Sequence, residues 1–181
     1  SDKVSPDRLG RVMRDLDGQV LEVIEAADAS PEQCSIAEVN GGVYAFNAAW
    51  LWPALRELMP SSSGEFYLTG LIRIASAKGL LVGTIQPDEP TELLGVDDRV
   101  HLAQAESAMR ERILNRWMLA GVTIVDPTTT YIDATVTLSQ DTIIYPNTTI
   151  CGKSSIGFGC QIGPGAQVYD SVIDEQCRIS S

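Results

Sequence analysis

Residues 155–168 read SIGFGCQIGPGAQV and set Ile156, Ile162 and Val168 six positions apart. A strand repeats every two residues and an α-helix about every 3.6, so a strict period of six asks for another structure. The period extends back through Ile132, Leu138, Ile144 and Ile150, seven aliphatic residues in register. Four positions after each stands a small or β-branched residue: Val136, Thr142, Thr148, Ser154, Cys160, Ala166 and Val172. This is the hexapeptide pattern of a β-helical solenoid. Each hexad makes one short flat face and a corner, and three faces close a coil. The aliphatic side chains form an inward row in a narrow prism, where only small neighbours fit. Burial of each contributes about 1.5–3 kcal/mol, and coils stack at roughly 4.8 Å. The step from Val168 to Ile173 is one residue short before Ile179 resumes the period, which predicts a bulged corner. It also sets Cys160 and Cys177 one coil apart on the inner row, as small core residues rather than a disulfide.

Upstream the pattern changes. GRVMRDLDGQVLEVIE (10–25) predicts a hairpin around a tight primed turn at Asp17-Gly18. Ser30-Pro31-Glu32-Gln33 offers an N-cap, a Pro at the first helical position and an acid in the first turn. EVNGGVYAF (38–46) and LLVGTIQ (80–86) are expected as strands, the first buried. A helix is expected to start near Trp50 to Trp52, with Pro53 in its first turn. The segment 61–79 predicts a loop running into a helix that Gly79 ends. Strands alternating with helices indicate an α/β layer. From an N-cap at Asp97 or Asp98, about six turns of helix follow, striped by Leu102, Ala105, Met109, Ile113 and Trp117 and closed by Gly121. So long a helix between two different patterns is expected to connect domains.

A net charge of −11 argues against a nucleic-acid or anionic-membrane surface, and no apolar run approaches the roughly 20 residues of a bilayer span. No signal peptide is visible. Four cysteines lack CxxC spacing and the single histidine, His101, lies on the long helix as a surface side chain, so no zinc cluster is expected. Free thiols favour the cytoplasm. The start at Ser1 and the end in CRISS, within the repeat, fit a piece of a longer protein. The repeats carry no histidine, which removes the metal site of a hexapeptide carbonic anhydrase and the usual base of a hexapeptide acyltransferase.

An α/β unit, a long helix and hexapeptide repeats, in that order, is the layout of certain nucleotide-sugar pyrophosphorylases. GRVMRD (10–15), DASPEQ (28–33), EVNGGVYAF, GEFYLTG (64–70), LLGVDDRVHLAQAE (93–106) and LAGVTIVDPTTTYID (119–133) together resemble the bacterial bifunctional N-acetylglucosamine-1-phosphate uridyltransferase/glucosamine-1-phosphate acetyltransferases, collinearly over nearly all 181 residues. The resemblance implies an α/β fold. It comprises the C-terminal, sugar-binding part of a Rossmann-like nucleotide-diphospho-sugar transferase domain (1–96), a connecting helix (97–120) and the start of a left-handed parallel β-helix (121–181). It implies a nucleotidyltransferase joining UTP to N-acetylglucosamine 1-phosphate with Mg²⁺, and an acetyltransferase using acetyl-CoA, in a cytoplasmic homotrimer that supplies peptidoglycan precursors.

Carried over residue by residue, the family's sugar-nucleotide contacts fall on Gly10, Glu25 and Asn40, and its metal ligand on Asp97. Glu65, Tyr67 and Thr69 line the sugar pocket. No catalytic side chain is assigned. The chain departs from the family pattern at Leu9, in place of an aromatic residue, at Ala27, in place of Lys, at Gly70, in place of Asp, and at Asp97, in place of Asn. The glycine-rich loop that grips UTP phosphates is missing from the sequence. Other readings are a pyrophosphorylase of different sugar or nucleotide preference and a non-catalytic trimerising scaffold.

Overall fold

A computed structural model describes residues 9–61 and 64–180; Ser62 and Ser63 of the expected 61–69 loop and the terminal Ser181 lie outside the described residues. The chain forms two compact units divided between Leu94 and Gly95. Together they are a mixed α/β chain with a long helix followed by a parallel β-helix.

The first unit is built on an antiparallel hairpin, β1 (Arg11–Arg14) and β2 (Val20–Ile24), paired from Arg11 opposite Ile24 to Arg14 opposite Val20. Its turn is not the expected two-residue primed type. Asp15 N–H donates to Gln19 O (2.9 Å) and Gly18 N–H to Asp15 O (3.1 Å), leaving a three-residue loop with Gly18 at φ 81°. That left-handed position is what such a loop requires of its last residue. Helix α1 (Pro31–Cys34) starts in a capping box between Ser30 and Gln33, as expected.

The 38–46 segment is not a strand. Among the described residues its one ladder contact is Val39 with Arg11. Beyond that the Gly pair turns the chain away, with Gly42 at φ 75°, and the side chain of Leu93 occupies the space a Cβ on Gly41 would need. Helix α2 (Ala48–Ala54) begins earlier than expected, because Asn47 Oδ1 accepts from Ala49 N–H (3.0 Å) and Trp50 N–H (3.3 Å). Pro53 therefore sits inside the helix rather than in its first turn. It has no N–H to donate one turn back, and the α-helix yields to a 3₁₀ turn at Leu55–Glu57.

Helix α3 (Gly70–Ala77) ends as expected at Gly79 (φ 68°). Leu80 N–H reaches Ala75 O and Gly79 N–H reaches Ser76 O, the paired closure that glycine at this position allows. Leu71, Ile72 and Ala75 face inward, and Ile72 joins Val12 and Val20 in a small core that Tyr44, Phe46 and Val82 flank. The expected strand at 80–86 does not form. A strand needs a neighbour for its N–H and C=O groups, and among the described residues no ladder partner stands beside it.

In the second unit, helix α4 (Arg99–Leu119) is capped by Asp98, whose carboxylate accepts from His101 N–H at 2.8 Å. Of the expected stripe, Leu102 and Met109 are 54% and 51% exposed. The C-terminal half alone is covered: Ile113 and Leu114 are buried in the solenoid core, with Trp117 and Met118 against it. Gly121 (φ 93°) turns the chain into the first coil.

From there the described residues form ten short strands in three parallel sheets. β3 (Thr123–Ile124), β6 (Ile143–Ile144), β9 (Gln161–Ile162) and β12 (Arg178–Ile179) stack on one face. β4 (Tyr131–Ile132), β7 (Thr149–Cys151) and β10 (Gln167–Tyr169) form the second, and β5 (Thr137–Leu138), β8 (Ser155–Ile156) and β11 (Val172–Ile173) the third. The seven periodic aliphatic residues are 0–8% exposed. They form three inward columns rather than one row, because consecutive hexads occupy consecutive faces. Ile124 starts the solenoid before the strict period begins: it pairs with Ile144, twenty residues on, where later coils take eighteen (Ile144 to Ile162) and seventeen (Ile162 to Ile179). The extra pair is absorbed at 125–130, where Asp126 accepts from Thr128 N–H (3.0 Å) and from the Thr128 and Thr129 hydroxyls.

Corners carry Asp141, Asn147, Gly159 and Gly165 at positive φ, the residue types that tolerate it. Several small inner residues satisfy their own polar groups: Thr142 donates to Gly157 O (3.0 Å), Ser154 to Cys151 O (2.7 Å) and Cys160 Sγ to Asp174 O (3.0 Å), whereas the buried Thr148 hydroxyl has no partner among the described residues. Cys160 and Cys177 are free thiols in or against the core, as expected. Val172 is a correction. The one-residue slip pairs it with Ser155, on the outward side, and it is 85% exposed.

Ile150→Ala, in the middle of its column and fully buried, is expected to cost about 2–5 kcal/mol, whereas Val172→Ala changes stability by less than about 0.5 kcal/mol; urea denaturation of the two variants checks the contrast. A second expectation concerns acid. Arg14 donates to both carboxylate oxygens of Glu38 (2.7 and 2.6 Å) and to Thr84 Oγ1 (2.9 Å). The Arg14 hydrogen bond holds the Glu38 carboxyl below its ordinary 4.5, against a smaller opposing effect of burial. A depressed carboxyl stabilises the fold above its unfolded value and loses that contribution as pH falls through the folded one. Glu38→Gln should therefore lower the urea midpoint slightly at neutral pH, the modest effect of a solvent-screened pair, and leave it unchanged once the Glu38 carboxyl is protonated; midpoints from pH 3 to pH 7 measure it.

Candidate functional site

The hairpin register decides where the first site residues stand. Arg11 pairs with Ile24, so Gly10 and Glu25 follow on opposite strands at the open end. A Cβ on Gly10 would lie 3.1 Å from Ile24 O and from Val23 Cγ1, and 3.5 Å from Glu25 Oε2. Any side chain here would press on the strand and crowd the carboxylate, so glycine keeps that carboxylate accessible from the Gly10 side.

The segment 38–40 runs beside β1. Glu38 O accepts from Val12 N–H (3.0 Å), and Asn40 N–H donates to Gly10 O (2.8 Å). Asn40 is thereby anchored next to Gly10. Its side-chain oxygen accepts from Gly42 N–H at 3.2 Å, which orients the amide so that its NH₂ group is left for another partner.

Thr69 comes from the other direction, at the start of α3. A threonine before a helix commonly caps it, but Thr69 is already in helical conformation and makes no cap hydrogen bond. Its hydroxyl instead donates to Glu25 Oε1 at 2.7 Å, in an environment where Thr69 is 5% exposed. This bond ties β2 to α3 across 44 residues. It occupies one Glu25 oxygen and leaves Oε2, the one facing Gly10, to accept from a ligand.

The structure thus gathers Gly10, Glu25, Asn40 and Thr69 in the first unit. Glu65 is exposed, and its backbone closes a turn with Ser61 (Ser61 N–H to Glu65 O, 2.7 Å). Tyr67 is half-buried, with its carbonyl accepting from Gly70 N–H (3.1 Å). A Cβ on Gly70, one of the departures from the family pattern, would stand 2.9 Å from Leu58 Cδ2, the movable end of a side chain. Ala27 lies in the exposed turn that Glu25 O and Asp28 N–H close at 3.0 Å. Asp97 belongs to the second unit, beside the cap residue Asp98, with its carboxylate 3.9 Å from His101 Nδ1. Among the described residues no group of three or more His, Cys, Asp or Glu side chains gathers as a metal site.

Two residues were not singled out in the sequence. Arg11 is almost fully buried and donates from Nε to Cys34 O (3.2 Å) and from Nη1 to Leu9 O, joining the end of α1 to the strand that carries Gly10. Tyr44, four residues after Asn40, packs against the Val12, Val20 and Ile72 core, and both Asn40 and Glu25 act on its phenol. Its signal was the alternation of Tyr44 and Phe46 within a stretch read as strand. Among the described residues no helix is long and apolar enough to cross a membrane.

No protein-family model matches the chain. Individual relatives do. The chain is 42% identical over 178 residues to the Bifunctional protein GlmU of Pelobacter propionicus, covering 98% of this chain and 39% of that protein. It is 44% identical over 177 residues to that of Shouchella clausii (97% and 39%) and 45% identical over 178 residues to that of Acetivibrio thermocellus (98% and 39%). The chain spans about two fifths of the length of the curated relatives it matches. Over nearly its whole length, then, this chain is a segment of the GlmU family.

Proposed function

We propose that the first unit holds the sugar phosphate in a nucleotide-sugar pyrophosphorylase that makes UDP-N-acetylglucosamine from UTP and N-acetylglucosamine 1-phosphate. The second unit, in this reading, opens the domain that acetylates glucosamine 1-phosphate from acetyl-CoA. The whole enzyme is a cytoplasmic homotrimer. What supports this is the convergence of Gly10, Glu25, Asn40 and Thr69 on one place from separate segments, at positions matching the family's sugar contacts.

The chemistry fits the groups. A sugar presents hydroxyls that donate and accept. Glu25 accepts from them, the Asn40 NH₂ donates, and the absent side chain at Gly10 lets the ring approach. In the reaction a phosphate oxygen of the sugar bonds to the α-phosphorus of UTP, and the bond from that phosphorus to the β-phosphate bridging oxygen breaks, releasing pyrophosphate. Positioning and charge neutralisation dominate such transfers. Mg²⁺ neutralises phosphate charge when bound. It commonly takes one or two protein carboxylates, with phosphates and water completing its shell, so a single carboxylate at Asp97 fits the role of one ligand. The cap of α4 falls to Asp98 rather than Asp97. Binding of the UTP triphosphate needs several converging N–H groups and usually a Lys. The chain's only comparable glycine cluster, 157–165, lies among the solenoid corners.

The chain alone, given UTP, N-acetylglucosamine 1-phosphate and Mg²⁺, should release no pyrophosphate. Substituted for the matching stretch of a GlmU relative, it should support uridyl transfer. In that chimera Glu25→Ala or Asn40→Ala should raise KM for the sugar phosphate about 10- to 100-fold, the loss of one charge-assisted or buried hydrogen bond, with KM for UTP within about two-fold. Pyrophosphate release by the isolated chain that Glu25→Ala abolishes, or equal effects on both substrates, would refute the assignment.

A further inference from the structure

Tyr44 is a residue without a structural reason for its hydroxyl. Its ring stacks on Phe46 (centroids 5.7 Å apart, 18° between planes), and Phe46 leans on Trp50 at 6.0 Å. Tyr44 and Phe46 pack against the core of Val12, Val20 and Ile72. Packing therefore fixes the ring, and phenylalanine would serve that purpose equally. The phenol oxygen is shut off from solvent and has no hydrogen-bond partner among the described residues. Leaving such a group unmet disfavours the free protein.

Its surroundings point to what meets it. Burial raises the phenol above its ordinary ionisation range, Asn40 opposes that, and the Glu25 charge adds to it. Tyr44 thus lies within electrostatic reach of the two side chains that the proposed function gives to the sugar. Asn40 is near enough to act on the phenol but does not stand in hydrogen-bond geometry with it. Its carbonyl is already turned to Gly42 N–H, so the NH₂ group is the part available to Tyr44 Oη.

We propose that Tyr44 is a positioning residue of the sugar site, its phenol oxygen accepting from the Asn40 NH₂ group and its O–H facing Glu25, so that both side chains are held in their ligand-binding orientation once a sugar phosphate enters. The inference rests on the sugar-binding reading of Glu25 and Asn40. An unmet hydroxyl in the free protein becomes bonded in the complex, and part of its penalty is relieved on binding. Tyr44 acts through Asn40 and need not touch the sugar.

The test is an NMR titration of the 181-residue chain with N-acetylglucosamine 1-phosphate into the millimolar range, for the parent, Tyr44→Phe, Asn40→Ala and the double variant, with thermal midpoints measured alongside. Tyr44→Phe should weaken binding about 3- to 10-fold while its midpoint stays the same or rises, because an unmet polar group has been removed. In the Asn40→Ala background the same change should add nothing, since the two residues act as one unit. Equal affinity of Tyr44→Phe and the parent would overturn the positioning role and leave the sugar site standing. A loss of equal size in both backgrounds would also overturn it, as packing rather than Asn40 would then carry the effect. Should Tyr44→Phe fold poorly, the parent with tyrosine labelled at the ring carbons decides the same question: ligand that shifts the Tyr44 ring and Asn40 side-chain NH₂ signals together supports the proposal, and ligand that leaves them unmoved refutes it. No binding by the parent would overturn the sugar-phosphate reading and this inference with it.

Discussion

The interior of the β-helix admits one aliphatic and one small side chain per face, and this narrowness governs the second unit. A coil closes on three faces, so the same chemical type must return every six residues and the same face every eighteen. Ile144, Ile150, Ile156 and Ile162 obey it with essentially no exposure. Where the chain deviates, it does so at corners. Two extra residues at 125–130 are folded into an Asp126 turn, and one deleted residue near 170 throws Val172 outward without disturbing Ile173. The covered half of α4 obeys the same limit from outside. Ile113 and Leu114 complete the apolar cluster around the coils, while the helix's N-terminal half meets no such demand and stays exposed.

The first unit is organised by a different interaction, the hydrogen bond from Thr69 to Glu25. A carboxylate at a strand end would normally extend into water. Here the packing of α3 against β2 brings a buried hydroxyl to it, and the backbone bond from Asn40 to Gly10 brings an amide alongside. The polar groups come from stretches far apart in sequence, each held by backbone contacts before any ligand arrives. Such preorganisation lowers the ordering cost of binding.

The repeat was legible because its period is set by geometry that nothing else shares, and the helix ends at Gly79 and Gly121 because a left-handed residue is required there. What could not be read was anything that depends on a neighbour. LLVGTIQ has strand composition, but strand formation is a property of a pair, and among the described residues no partner stands beside it. EVNGGVYAF has the right residues too, yet Leu93 takes the place beside Gly41 and the Gly pair turns away after Val39. In the site, Gly10, Glu25 and Asn40 were found by collinear resemblance. The hairpin register explains the first two. Thr69 was named as pocket lining, though its diversion from capping to Glu25 is visible only in three dimensions. Tyr44 was missed because a strand reading treats an aromatic residue as packing and says nothing of where its hydroxyl ends.

A crystal structure of this chain grown with N-acetylglucosamine 1-phosphate tests the central claim most directly. Sugar oxygens are expected at about 2.6–3.2 Å from the Glu25 carboxylate and the Asn40 amide, with the ring over Gly10. A sugar phosphate seated elsewhere, with Glu25 and Asn40 unoccupied, would contradict it.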